Sequence, residues 1–226
     1  MMPFGGGLDS ASNGTLIFSI GAAIFYLNAL DAPPNLRRTA AKALAVGFLA
    51  LLALIEGGPL LLVAALAASA AGDAFLSRPG ERAFLGGLAA FLVAHVLYVA
   101  LFLTAGEGAD FVLEHPARMV VGAVMIAATG LLLARLRVVA PSELKAPVTA
   151  YAAAILAMGL TSLTMPGPWI VLGAVCFIAS DAMLAVEKFM PVPDPTLRTA
   201  MRTAVWVAYY AAQAIITLGF LLGSAS

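Results

Sequence analysis

Two aspartates each lie within a long apolar run that carries no other charge nearby. They are the strongest candidates for catalytic residues in the chain. Asp73 occurs in the sequence GDAFL, and Asp181 occurs in SDAML, 108 positions further along the chain. A carboxylate in hydrocarbon costs about 2.5 to 3.5 kcal/mol on insertion scales, so such residues face a bundle interior or a water-filled cavity. The two near-copies of one local sequence predict that the two carboxyl groups work together.

The chemistry open to such a pair is proton transfer followed by attack of water. If both carboxyl groups share a cavity with Lys42 as the only cation, full ionisation leaves one uncompensated negative charge. One proton should therefore be retained, which makes one group an acid and the other a base. Such a pair can protonate a substrate and then direct water at it. Glycosidases cleave acetal-type ethers with two carboxyl groups through an oxocarbenium-like state.

Other polar side chains lie at similar depth in the apolar runs or near their middle. His95 and Tyr98 are three residues apart, and Tyr209 and Gln213 are four apart, so each pair shares one face of a helix. We expect these groups to line a polar pocket reached from the cytoplasmic side. The candidate substrate-binding or orienting residues are Asn28, Lys42, His95, Tyr98, Tyr151, Ser180, Tyr209, Tyr210 and Gln213.

Structural interpretations of some of these residues remain open. Lys42 would also fit a side chain that snorkels to the headgroups. Tyr26, which is not in the candidate set, fits the aromatic belt of a membrane protein, and Tyr151 would also fit it. His95 and Gln213 would also fit hydrogen bonds between helices.

The sequence favours neither a metal nor a serine nucleophile. The chain has two histidines, and a catalytic zinc takes three protein ligands, so a metal would need both aspartates and His95. Ser180 precedes Asp181 directly, and adjacent residues of a helix do not face each other. We therefore expect catalysis by Asp73 and Asp181 with no metal and no cofactor.

The composition is that of an integral membrane protein. Of the 226 residues 62% are hydrophobic and 11% are charged, with a mean hydropathy of +1.01, whereas soluble domains are about 25% charged. The net charge of zero suggests no nucleic-acid partner. The single Cys176 excludes an internal disulfide.

Eight apolar runs have the length of a membrane-spanning helix, which is about 20 residues. They predict an all-α fold, a polytopic membrane protein made of one transmembrane helical-bundle domain over residues 1–226. Proline- and glycine-rich breaks, such as residues 191–195, separate the runs. The runs cover residues 15–31, 40–56, 58–76, 83–104, 116–136, 145–163, 168–188 and 198–223.

The basic residues predict the orientation of the chain, because cytoplasmic loops carry the positive excess. Eleven of the twelve Lys and Arg residues fall on one side, and only Arg118 falls on the other. Both termini should therefore be extracytoplasmic. The alanine-rich composition favours a bacterial cytoplasmic (inner) membrane. Four crossings return the chain to the same side, so the pattern also fits a four-plus-four parallel repeat.

The ordered set of polar motifs resembles the YhhN family, the lysoplasmalogenase-type membrane hydrolases. The resemblance covers about 170 residues, from the second apolar run to the eighth. The matching pieces are Lys42, residues 72–76, residues 87–98 with His95 and Tyr98, Tyr151 with Met158, residues 180–185, and residues 209–213 with Tyr209, Tyr210 and Gln213.

The resemblance implies hydrolysis of the vinyl ether bond of a lysoplasmalogen, giving a fatty aldehyde and glycerophosphoethanolamine or glycerophosphocholine. The partners it implies are a lysophospholipid substrate and membrane lipids, and Lys42 or the loop arginines would meet the substrate phosphate. A proton-coupled transporter of lipids or small molecules is the main alternative, because paired intramembrane acids also make proton relays. A structural or regulatory subunit is a third hypothesis.

Overall fold

The computed structural model describes residues 2–191 and 193–223. Within these residues there is no strand, and nine α-helices follow a short 3₁₀ turn at Gly7–Asp9. The all-α prediction is therefore confirmed for the described part of the chain. The helices are α1 (Ala11–Asn28), α2 (Leu36–Ile55), α3 (Leu60–Leu76), α4 (Glu81–Ala105), α5 (Ala109–Leu113), α6 (Pro116–Val139), α7 (Ser142–Ser162), α8 (Trp169–Phe189) and α9 (Pro195–Gly223).

Each of the eight apolar runs overlaps one helix, and one further helix was not predicted. The short α5 lies in the acidic segment between two runs, where the residues are too polar to show an apolar period. Helix α9 begins at Pro195, earlier than expected, because proline is well suited to the first turn of a helix. Val192, in the break predicted over residues 191–195, lies outside the described residues.

Six of the described helices are long and apolar enough to cross a membrane, namely α2, α4, α6, α7, α8 and α9. Helix α3 is apolar but has 17 residues, and α1 is not among the six. Many large apolar side chains are exposed, among them Phe18, Leu131 and Trp169. The chain is a multi-pass integral membrane protein.

The chain divides into two compact units, and the first runs to Tyr98 and resumes at Gln213. Helix α2 forms its centre, and Ala45, Val46 and Leu49 are fully buried there. Ser19 of α1 donates a hydrogen bond to the Ala45 carbonyl over 2.6 Å, which ties α1 to α2.

Glycines allow α3 and α4 to pack closely within the first unit. A Cβ on Gly72 would lie 2.7 Å from the ring of Phe91, and a Cβ on Gly87 would lie 2.6 Å from Cγ of Leu76. The two contacts are four residues apart on each helix, so the helices run antiparallel in regular register. Small residues at helix interfaces of membrane proteins permit this approach.

The second unit, Val99–Ala212, contains α6, α7 and α8. Arg118 of α6 donates to the carbonyls of Leu163 at 2.6 Å, Met165 at 2.8 Å and Gly167 at 3.0 Å. These carbonyls follow the end of α7, where a helix leaves acceptors unsatisfied. The basic residue that departs from the charge pattern therefore has a local structural role.

Candidate active site

Asp73 of α3 is buried and forms an ion pair with Lys42 of α2. The Lys42 Nζ lies 3.2 Å from Asp73 Oδ1, and the side chains are 14% and 1% exposed. Lys42 therefore turns inward rather than snorkelling to the surface. A charge this deep is tolerated because its partner lies within contact distance.

Tyr26 and Arg38 also lie near Lys42. The Lys42 ammonium lies 5.6 Å from the centre of the Tyr26 ring, and the Arg38 guanidinium carbon lies 5.5 Å from it. Both distances fit cation–π interactions. Tyr26 is 6% exposed, so it is not a belt residue.

Arg38 was not among the predicted site residues, and it changes the charge balance. It is 8% exposed and donates to the carbonyls of Leu30 and Ser77, each at 3.3 Å. The expectation that Lys42 is the only nearby cation is therefore wrong, because the Arg38 guanidinium and the Lys42 ammonium both lie near the Tyr26 ring. The four-residue spacing of Arg38 and Lys42, which puts both on one face of α2, was a signal for it.

His95 of α4 is fully buried, and its hydrogen bond defines its neutral form. The Nδ1 atom lies 2.6 Å from the Phe91 carbonyl oxygen, which can only accept. In the neutral ring Nδ1 therefore carries the hydrogen, and Nε2 carries the lone pair. His95 is thus oriented to accept a proton or hydrogen bond through Nε2.

Tyr98 lies one turn beyond His95 and contacts Gln213. Its hydroxyl donates to Gln213 Oε1 over 2.5 Å, and both side chains are fully buried. Among the described residues Gln213 Nε2 has no hydrogen-bond partner. The predicted substrate-binding or orienting residues His95, Tyr98 and Gln213 therefore all lie in the interior of the first unit.

The second unit holds the other aspartate, again contacted from the preceding helix. The Tyr151 hydroxyl of α7 donates to Asp181 Oδ2 of α8 over 2.5 Å. Tyr151 is therefore a hydrogen-bond donor to a carboxyl group rather than a belt residue alone. Tyr151 precedes Asp181 by 30 residues, and Lys42 precedes Asp73 by 31.

The other predicted site residues have mainly structural contacts. Ser180 donates to the Val205 carbonyl over 2.9 Å, which joins α8 to α9. Tyr209 packs edge-on against Phe177, and the Tyr210 ring stacks on Trp206.

Asn28 lies apart from these contacts. It is exposed, and its amide donates to the Ile24 carbonyl of its own helix over 2.8 Å. Asn28 was selected because it is a polar residue in an apolar run, but its side chain bonds to the backbone of its own helix.

Metal-ligating side chains do not converge in the described chain. Within residues 2–191 and 193–223, no three His, Cys, Asp or Glu side chains are placed to hold a common ion.

Several helices are long enough to span a membrane, and they bury ionised and hydrogen-bonded side chains. These features define the class of multi-pass membrane proteins with an intramembrane polar site. Within that class, the model of the YhhN family matches residues 37–220. The chain belongs to the YhhN family.

Named relatives share this part of the chain. Lysoplasmalogenases of Mycobacterium bovis and Mycobacterium tuberculosis are 37% identical over 168 residues, which is 72% of this chain and 60% of theirs. Human lysoplasmalogenase TMEM86B is 35% identical over 178 residues, which is 77% of this chain and 70% of that protein. The match thus spans less than two thirds of the mycobacterial proteins. No solved structure matches the chain.

Proposed function

We propose that this protein hydrolyses the vinyl ether bond of lysoplasmalogens, releasing a fatty aldehyde and glycerophosphoethanolamine or glycerophosphocholine. The observation that carries the proposal is the carboxylate of Asp73, which is 1% exposed and held by Lys42. The named activity of the relatives supports the choice of substrate. An intramembrane acid is suited to a bond that lies at the junction of a lipid chain and its glycerol.

The reaction begins with a proton. An acid protonates the vinyl carbon remote from the ether oxygen, which leaves an oxocarbenium ion between the other vinyl carbon and that oxygen. Water adds to this carbon and loses a proton, giving a hemiacetal. The bond from this carbon to the glycerol oxygen then breaks, and the oxygen takes up a proton while the aldehyde forms. One water is consumed, and the proton supplied first is recovered.

We assign the acid and the charge-stabilising carboxylate jointly to Asp73 and Asp181. A positioned acid contributes typically 100- to 10,000-fold to rate, and a fixed carboxylate stabilises a developing cation where water is excluded. Lys42 and Tyr151 support these roles, because each contacts one of the two carboxyl groups.

The headgroup phosphate requires a different cation from Lys42. Because Lys42 is committed to Asp73, we assign the phosphate contact to arginines at the helix ends. Arg37 is exposed beside the buried Arg38 at the start of α2. A guanidinium group matches a phosphate with two parallel hydrogen bonds.

We also propose that the chain crosses a bacterial inner membrane eight times with both termini extracytoplasmic. Two further helices beyond the six long ones, α1 and α3, are needed for this count. The partner of each aspartate lies on the preceding helix, 31 or 30 residues upstream, which supports a four-plus-four repeat.

The test is aldehyde release by purified protein in detergent. A vinyl-ether lysophospholipid is compared with its alkyl-ether and acyl analogues. We expect aldehyde from the vinyl ether alone, and a loss of about 100-fold or more in Asp73→Asn and in Asp181→Asn.

The matched control is Asp194→Asn, because Asp194 is exposed and, among the described contacts, its side chain accepts only the backbone N–H of Thr196 at the start of α9. It should keep wild-type turnover, and size-exclusion profiles should show that all variants are folded. Normal turnover in either intramembrane variant would contradict the role of that aspartate. No aldehyde from wild type would contradict the activity and favour transport, which sealed vesicles would reveal.

A further inference from the structure

A buried serine, Ser69, lies one helical turn from Asp73 on α3. Ser69 of α3 is 0% exposed, and among the described residues its hydroxyl has no hydrogen-bond partner. An unsatisfied buried hydroxyl costs about 1 to 3 kcal/mol. Alanine would fill the same space at no such cost, so the hydroxyl needs an explanation other than packing.

The register of α3 and α4 places Ser69 beside His95. Gly72 of α3 packs against Phe91 of α4. Ser69 lies about one turn before Gly72, and His95 lies about one turn after Phe91. Because the two helices are antiparallel, these steps lead in the same direction. Ser69 shares a face of α3 with Gly72, three residues on, and with Asp73, four residues on. It therefore lies between the side of α3 that meets α4 and the side that meets Lys42.

The two side chains are chemically complementary toward one small molecule. The Ser69 hydroxyl can donate and accept, and the Nε2 atom of neutral His95 accepts, because Nδ1–H is committed to the Phe91 carbonyl. A water molecule can donate one hydrogen to each residue and keep a lone pair for attack. An alkyl chain offers nothing to either group.

The polar groups continue along α4 away from Asp73. Tyr98 lies one turn beyond His95, and its hydroxyl is bonded to Gln213. Ser69 and His95 thus lie in a column of buried polar groups rather than in an isolated polar spot. Such a column offers a buried water molecule several hydrogen-bond partners within apolar surroundings.

We propose that Ser69 and His95 bind the hydrolytic water, with Ser69 orienting it and His95 Nε2 taking its proton. The inference rests on the proposed vinyl ether hydrolysis. As the water oxygen bonds to the oxocarbenium carbon, one O–H bond breaks and its proton moves to Nε2. The imidazolium then returns this proton to the carboxylate that acted as acid.

The experiment measures which nucleophile is captured. Turnover of a vinyl-ether lysophospholipid is followed in buffer with graded methanol. Water capture gives aldehyde, whereas methanol capture gives a mixed acetal that retains the glycerophospho group, the product of adding methanol across the double bond. Mass spectrometry gives the ratio of acetal to aldehyde.

The matched pair of variants is Ser69→Ala and Ser19→Ala. Both serines are fully buried in the first unit. Ser19 donates to the Ala45 carbonyl, whereas Ser69 has no such bond within residues 2–191 and 193–223. We expect Ser69→Ala to lower kcat about 100-fold with little change in KM and to raise the acetal-to-aldehyde ratio. Ser19→Ala should keep the wild-type ratio and kcat.

Thermal unfolding in detergent separates a functional from a structural serine. We expect Ser69→Ala to be at least as stable as wild type, and Ser19→Ala to be less stable. A destabilised Ser69→Ala, or one with wild-type kcat and product ratio, would overturn the assignment. Wild type that releases aldehyde would then leave the hydrolase proposal standing, whereas wild type that releases none would overturn both.

Discussion

At the scale of single residues, Lys42 forms an ion pair with the carboxyl group of Asp73, and Tyr26 and Arg38 lie around Lys42. Lys42 supplies the charge, Tyr26 supplies a ring face to Lys42, and Arg38 adds a second cation to that ring. The ammonium group of Lys42 on α2 thus neutralises a buried acid on α3. Lys42 therefore has a larger effect on folding than its place near a helix end indicates.

Replacing Lys42 with methionine should destabilise the protein strongly. The carboxylate of Asp73 would remain buried without its ammonium partner, and breaking a buried pair from one side costs about 3 to 5 kcal/mol. Thermal unfolding in detergent measures the loss. Lys145→Met, which removes an exposed lysine of α7, is the matched control and should be neutral.

A double variant separates stability from catalysis. Lys42→Met with Asp73→Asn removes both charges, so it should recover most of the stability lost in Lys42→Met, while turnover stays absent. A Lys42→Met protein as stable as wild type would mean that the native Asp73 carboxyl is uncharged.

At the scale of helices, the distance between α3 and α4 determines where His95 lies. Phe91 packs on Gly72, and its carbonyl holds His95 Nδ1 one turn further along. The side chain that sets the helix spacing and the carbonyl that orients the histidine therefore belong to the same residue.

Replacing Gly72 with alanine should push the two helices apart. The new Cβ would lie 2.7 Å from the Phe91 ring, and overpacking of this kind costs about 1 to 3 kcal/mol. We expect lower thermal stability and lower turnover of the vinyl-ether substrate, because His95 moves with Phe91.

Gly47→Ala is the matched control for this prediction. Gly47 lies inside α2, and a Cβ there would meet nothing within 4 Å. It should be neutral or slightly stabilising, because alanine favours helix over glycine. If Gly72→Ala keeps wild-type stability and turnover, the glycine contact does not control the position of α4.

At the scale of the whole molecule, the uneven distribution of Lys and Arg residues between the loops predicts which loops face the cytoplasm. A membrane-impermeant maleimide tests this on spheroplasts, in a Cys176→Ala background that removes the single native thiol. A cysteine at Glu107→Cys should be labelled in intact spheroplasts, and one at Arg78→Cys only after permeabilisation. Both positions are exposed. The opposite pattern would reverse the proposed orientation, and equal labelling of both would contradict an odd number of crossings between them.

The sequence by itself determined the all-helical class, the apolar runs and the exceptional character of Asp73 and Asp181. These follow from local rules, because hydrocarbon demands internally bonded backbone and makes each buried charge expensive. Helix ends were less certain, as α5 and the early start of α9 illustrate. The extra helix lies where polar and apolar residues alternate without a clear period.

Only the tertiary structure decided which side chains meet. Lys42 could have snorkelled, and Tyr26 could have been a belt residue. Each outcome depends on rotamers and on the close approach of other helices, such as α3 and α4 at Gly72. Sequence spacing defines the face of one helix, but a partner on another helix is chosen by packing, which depends on residues far apart in the chain.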